Sequence, residues 1–462
     1  MNRLTTLEAG FLKAEDADPR VSLAIGGLAV IEGPAPDQDT LMSAFAVRIR
    51  ACPRFGQRLR LRPFDLGAPQ WVEDLGFDIG RHVRRVALPQ PGGDQELFRV
   101  VADLMARRLD RDRPLWEIWV VEGLNDGRWA MLTKVHHCMA DGIAATHMLA
   151  GLCDDGVSDR FARHIGPKRD TKTPAAEVNP LAILGGLWNA STSVAAGAAR
   201  AVHGAADIAI GLLRSAPSPL NGRIGDLRRY SGARVPLADI EQVCGAFDVT
   251  INDVALAAIT ESYRNVLVKR GERLQPGSLR TLVPVSTRSP DALDKTDNRV
   301  SVLLPELPID EENPLQRLRI VHSRLVRMKA GGQRQAGNAF VAMANRVPFA
   351  FAGWALGLLT RLPQRGVVTL ATNVPGPRRP LQVMGNKVLG VFPVPPIAMQ
   401  LRTGVAMLSY ADDLFIGILA DYDEVADVDE LARGIEAAVA RLVAISKRRK
   451  AHYTRGPLSL VV

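Results

Sequence analysis

Along this chain the spacing of apolar and polar positions switches repeatedly between a period of two and a period near 3.6, the signature of strands exchanging with helices. From Leu28 to Glu32 and from Leu115 to Glu122 the sequence reads as strand, and Asn125-Asp126-Gly127 supplies a hairpin turn before a return strand from Trp129 to Cys138. After Asp141-Gly142 the period changes. Ala144, Met148 and Leu152 recur at helical spacing, which places His136, His137 and Asp141 at a strand end and in the loop that follows it. Farther on, helices are predicted over Val254 to Lys269 and Leu315 to Met328. Strands are predicted over Thr281 to Val285, Val300 to Leu304, Val367 to Thr372 and Leu414 to Ala420.

A chain of 462 residues exceeds the size at which one core keeps growing, so two domains are expected. The segment Asp154 to Asn179 is polar, charged and proline-containing, and an Ala/Gly-rich helix follows it to about Leu213. The expected division is an N-terminal domain over 1–155, a crossover linker and helix over 156–218, a C-terminal domain over 219–446 and a solvated basic tail over 447–462. A turn is expected across Pro217 to Gly222.

Composition narrows the function classes. With 47% hydrophobic and 23% charged residues the chain is a folding one. A formal net charge of +9 and a pI near 9.6 favour anionic partners: acidic lipid headgroups, nucleic acid, or a nucleotide-bearing substrate. Nucleic acid is disfavoured because the basic residues are scattered and aromatics are few. Cys52, Cys138, Cys153 and Cys244 form no CxxC pair, which suggests neither a disulfide framework nor a thiolate metal site and fits a reducing compartment. The first residues lack a secretory apolar core, so a cytoplasmic location is expected. Pro348 to Thr360 and Leu181 to Leu213 are apolar but short or interrupted; each reads as a buried helix or as one lying on lipid.

The chemistry concentrates in His136-His137-Cys138-Met139-Ala140-Asp141-Gly142. Neighbours on a strand point to opposite faces, so two adjacent histidines cannot easily share one metal ion, and no metal is expected. One imidazole facing a cleft suits a general base near neutral pH, while its neighbour packs in the fold; two ordinary buried histidines are the alternative. On that alternation Cys138 points away from His137, against a role as nucleophile. Thr250 and Asp253 have the spacing of a capping box.

The segment matches HHxxxDG, the motif of coenzyme-A-dependent acyltransferases, and the chain resembles the bacterial wax ester synthase/diacylglycerol acyltransferase family along nearly its whole length. Arg113-Pro114-Leu115-Trp116-Glu117 resembles the family's PLW block, and Leu4 to Leu12 its N-terminal opening, with Glu15 in the same stretch. Pro219-Leu220-Asn221-Gly222 with Arg228-Arg229, then Asn252-Asp253, Asn373-Val374-Pro375-Gly376-Pro377 and Ser409-Tyr410, follow in the family's order. Val21 to Gly26 departs from the Met-His-Val-Gly of many members.

The resemblance implies an α/β fold of two chloramphenicol-acetyltransferase-like domains joined by a helical crossover. It implies His137 as the base that activates an acceptor hydroxyl for attack on an acyl-CoA thioester, with no acyl-enzyme and no cofactor. Asp141 is expected to anchor the loop by pairing with Arg288, and His136 to support it. Gly142 is expected to permit a tight turn or close helix packing. Asn252 and Asp253 are assigned both a capping and a site role. Asn373 is expected in a turn after a strand, shaping the site. Glu15, Pro114, Leu115 and Trp116 are candidates for a substrate channel, with hydrophobic packing as the alternative for Trp116. Diacylglycerol or a long-chain alcohol would be the acceptor. The enzyme would sit peripherally on the inner membrane face or on lipid droplets. A carrier-protein-dependent acyltransferase and a non-catalytic lipid-binding paralogue are the alternatives.

Overall fold

The computed structural model of the protein describes residues 3–61, 67–154, 218–286, 300–330 and 367–454. Its first half opens with helix α1 (Thr6–Ala17), started by a reciprocal cap: the Thr5 hydroxyl accepts from the Glu8 N–H, and the Glu8 carboxylate accepts from the Thr5 N–H at 2.7 Å. Strand β1 (Ala24–Ile31) and helix α2 (Gln38–Arg50) follow, then a two-stranded ribbon of β2 (Gln57–Arg60) and β3 (Gln70–Glu73). Strand β4 (Val83–Ala87) leads to helix α3 (Asp94–Ala106), the hairpin β5 (Trp116–Glu122) and β6 (Trp129–His136), and helix α4 (Gly142–Gly151). The hairpin turns at Asn125–Gly127, where Asp126 adopts φ 59°.

Every residue of β6 is buried, including Lys134, whose ammonium donates to the carbonyls of Leu104 and Arg107 at the end of α3. Cations are favourable at a helix C-terminus, so this lysine ties α3 to the sheet.

The second half supplies β7 (Arg228–Pro236), α5 (Leu237–Phe247), α6 (Ile251–Lys269), β8 (Thr281–Ser286), β9 (Val300–Leu303) and α7 (Pro314–Ala330). It continues with β10 (Thr369–Pro375), β11 (Gln382–Val383), β12 (Asn386–Val394), β13 (Thr403–Tyr410), β14 (Asp413–Asp421) and α8 (Val428–Thr454). Two six-stranded sheets result, in the orders β11-β12-β1-β6-β5-β4 and β7-β14-β13-β10-β8-β9.

The first sheet is therefore not built from the N-terminal half alone. Strand β12 pairs antiparallel along β1 from Gly26–Val394 to Ile31–Val388. Without it β1 would be a buried apolar edge with unpaired backbone groups, which is costly. Residues 382–394 thus leave the expected 219–446 domain and complete the other sheet. Glycines make the crossing close: a Cβ at Gly417 of β14 would stand 1.7 Å from the Pro393 carbonyl oxygen, and one at Gly390 2.7 Å from the Phe415 ring. The Tyr230 hydroxyl donates to the same Pro393 carbonyl, and Phe98, Tyr230, Phe392 and Phe415 pack edge to face across the junction.

Three further expectations change. The basic tail begins inside a helix, because α8 runs through Lys447 to Thr454. Asn373 to Pro375 belong to β10 rather than to a turn, held there by parallel pairing as far as Pro375–Ser409 of β13. Strand β6 stops at His136, and the Met139 N–H turns back onto the His136 carbonyl. The crossover between the halves and both apolar segments at Leu181–Leu213 and Pro348–Thr360 lie outside the described residues.

Candidate active site

The two histidines end up in different environments because the strand gives way to a turn between them. His136 is 1% exposed, and its Nδ1 accepts from the Cys138 N–H at 3.1 Å. An accepting Nδ1 puts the proton of the neutral ring on Nε2, which stands 3.4 Å from Glu15 Oε2, ion-pair range but longer than a good hydrogen bond. Glu15 is also 1% exposed, accepts from the Leu23 N–H at 2.9 Å and pairs with Arg111 at 2.7 Å. Burial alone would push its carboxyl up; His136, Arg111 and the Leu23 amide outweigh burial and hold it at about 2.

His137 is half-buried, with Nδ1 inside the protein, and its N–H donates to the Leu23 carbonyl at 2.9 Å. The phenyl ring of Phe11 stacks on the imidazole, centroids 4.1 Å apart and planes 19° from parallel. Burial, seconded by the neighbouring His136, brings its pKa down to about 4. The ring is therefore neutral at physiological pH and able to take up a proton.

Cys138 is 1% exposed, and burial pushes its thiol well above the ordinary range, so no thiolate is available. The conclusion drawn from strand alternation stands on this different ground.

Asp141 caps α4, accepting from the Ala144 N–H at 2.8 Å, so the loop is anchored by its own helix start. Arg288, the partner expected for Asp141, lies outside the described residues. Gly142 is required by packing: a Cβ there would stand 2.9 Å from Val374 Cγ2 on β10. The histidine loop thus abuts the second sheet directly.

Beside that contact, the Asn373 side chain donates to Asn252 Oδ1 at 2.5 Å, joining β10 to the first turn of α6. Asp253 forms the expected capping box with Thr250 and accepts a third bond from His322 Nδ1 of α7 at 2.8 Å. Asn252 and Asn373 are therefore brought to the junction that holds Gly142, while the Asp253 carboxylate is taken by Thr250 and His322.

The channel candidates are placed elsewhere. Leu115 and Trp116 are at most 1% exposed, Pro114 is buried, and the Trp116 indole donates to the Phe55 carbonyl at 2.8 Å. These residues and Glu15 lie in the core behind the histidines: the Leu115 carbonyl accepts from the His136 N–H at 3.0 Å. Their side chains are buried and back the histidine loop, and Trp116 also lines a small cavity with Phe55, Glu117, Thr133 and Met148.

Phe11 and Arg111 join the histidine cluster, and His322 joins the Asp253 cap, without having been expected. For Phe11 the signal was available, since it lies four residues before Glu15 and shares its helix face. Arg111 and His322 sit on segments whose proximity is purely tertiary.

Residues 4–255 match the family model of the wax ester synthase/diacylglycerol acyltransferase catalytic domain, and residues 296–442 match the WS/DGAT C-terminal domain. A Mycobacterium tuberculosis protein named as a diacyglycerol O-acyltransferase, tgs1, is 70% identical over 467 residues, with 100% of both chains covered. Among solved structures, the wax ester synthase/diacylglycerol acyltransferase of Marinobacter aquaeolei VT8 superposes with a TM-score of 0.69 at 26% identity, over 97% of this chain and 100% of that one. The first condensation domain of the calcium-dependent antibiotic synthetase shares the fold, with a TM-score of 0.61 at 15% identity over 96% of each chain. With the HHxxxDG loop seated where the two sheets meet, and with both family domains matched, the chain belongs to the wax ester synthase/diacylglycerol acyltransferase family.

Proposed function

We propose that this protein transfers a long-chain acyl group from acyl-CoA to the hydroxyl of diacylglycerol, giving triacylglycerol, and also accepts long-chain alcohols to give wax esters. The observation that carries the reading is the state of His137: neutral, half-buried, fixed in orientation, and on the loop that abuts the second sheet. With Nδ1 inside the protein, Nε2 is the nitrogen that meets the acceptor. It removes the hydroxyl proton as the oxygen attacks the thioester carbonyl. The tetrahedral intermediate collapses by breaking the C–S bond, and the imidazolium returns its proton to the departing thiolate. The products are the ester and free coenzyme A. No covalent enzyme intermediate enters, consistent with a Cys138 that stays protonated.

Diacylglycerol is favoured as acceptor by the 70% identity to a relative named for that activity. A lipid acceptor and a net charge of +9 together support peripheral docking on an anionic membrane face or a lipid droplet. Palmitoyl-CoA supplied with diacylglycerol or with hexadecanol tests the reading. Ester formed by the wild type without any carrier protein, and lost in a folded His137→Ala variant, supports it. A folded wild type that forms neither product overturns it.

A further inference from the structure

Helix α1 addresses both histidines at once. Phe11 and Glu15 are four residues apart, hence on one helix face, and they meet successive residues of the histidine pair: Phe11 lies flat on His137, and Glu15 stands against His136 Nε2. The start of the helix is fixed by the Thr5–Glu8 cap. Its far end is held by Arg111, which bonds Asp16 at 2.6 Å as well as Glu15. An element fastened at both ends presents the phenyl ring to the imidazole in a defined plane.

We propose that Phe11 is a positioning residue for the acyl-transfer reaction: its ring sets the plane of the His137 imidazole and shields one face of it from water. The inference rests on His137 being the base. Two physical consequences follow. An imidazole free to turn about its side-chain torsions spends less of its time with Nε2 aimed at the acceptor, and misplacement of a reacting group lowers turnover more than it lowers binding. Water admitted to the ring face stabilises the imidazolium. A phenyl face also attracts a cation, but that effect is smaller than the desolvation of a buried group, so removing the ring raises the pKa on balance.

Among the described residues, His136 lowers the His137 pKa with or without the ring, Glu15 is paired with Arg111, and the Leu23 carbonyl accepts from the His137 backbone N–H, so none of these reverses the direction expected on removing Phe11.

The test compares Phe11→Leu, which stays apolar but is smaller and leaves part of the imidazole face uncovered, with Phe11→Tyr, which keeps the ring. For Phe11→Leu, kcat is expected to fall about tenfold with KM for palmitoyl-CoA nearly unchanged, and the acid limb of kcat is expected to move upward from near 4. Phe11→Tyr is expected to restore both. NMR titration of histidine-labelled protein reads the His137 pKa directly, with the resonance assigned by its loss in His137→Gln. That measurement needs no turnover, so an inactive wild type would count against the proposed function while leaving the ring-stacking claim testable. The proposal is overturned if folded Phe11→Leu keeps its kcat and its His137 titration. It is equally overturned if folded Phe11→Tyr fails to restore them, or if lost activity only tracks a lost folded fraction.

Discussion

Glu15 in the first half and Glu261 in the second are both buried and both bound to arginine, yet they serve different ends. Glu261, 5% exposed on α6, accepts from Arg317 of α7 and from Arg441 of α8 at 2.6 Å, so one carboxylate fastens three helices. Its ions lie away from the histidine loop, and its purpose ends with packing. Glu15 has a comparable arginine, but the oxygen that meets Arg111 also faces His136, one residue from the base, while its other oxygen accepts from the Leu23 N–H. The same kind of ion pair is architecture in one half and part of the loop's support in the other. What separates them is the neighbour each carboxylate was given by the fold.

The largest effect expected is at the base itself. His137→Ala should lower ester formation by about 10²- to 10⁴-fold with its melting temperature little changed, read by product formation and thermal unfolding on the same preparation. Glu15→Gln and Glu261→Gln form the sharper pair. Glu261→Gln leaves the buried Arg317 uncompensated and should cost about 3–5 kcal/mol of stability by denaturant titration, and Glu15→Gln less, because Arg111 is partly exposed and keeps its bond to Asp16. The two should part in kcat of the folded enzyme, with a fall of about tenfold or more for Glu15→Gln and none for Glu261→Gln. Equal kcat losses in both would mean that the two carboxylates do not differ in role.

Gly142→Ala introduces overpacking against Val374 of about 1–3 kcal/mol. The double variant with Val374→Ala should recover most of the lost turnover, which a purely conformational need for glycine would not allow.

The smallest effect is the pH dependence. Because the His137 pKa lies near 4 rather than 6.5, kcat should hold nearly level from neutrality down to about pH 5 and decline below it. In stability the sign is the same for both groups. Between 6.5 and 4 the unfolded state takes up the proton that native His137 refuses, and between 4.5 and 2 it takes up the one refused by Glu15, so stability falls with pH through both windows. Thermal unfolding of wild type, His137→Gln and Glu15→Gln across pH 3 to 7 resolves the two contributions.

Much of the site was legible because its signals are local. The strand ending at the histidines, the helix that follows, and the Thr250–Asp253 cap depend on residues within a turn or two of one another, and local periodicity reports them. The N-cap by which Asp141 starts α4 is equally local. Pro114, Leu115, Trp116 and Glu15 were channel candidates through the family blocks they belong to; their depth below the surface was not legible, because it is a sum over strands brought from elsewhere.

By itself, then, the sequence determined the strand and helix on either side of the histidines, the Thr250–Asp253 cap, and the family motif and its order. Only the tertiary structure decided that residues 382–394 cross over to complete the first sheet, that Val374 closes against Gly142, and that Phe11 and Glu15 each reach one histidine. Backbone hydrogen bonds along the edge of β1 that β6 leaves open and the exclusion of water around the histidine loop drive those contacts, and both are properties of surfaces that exist only once distant segments have met.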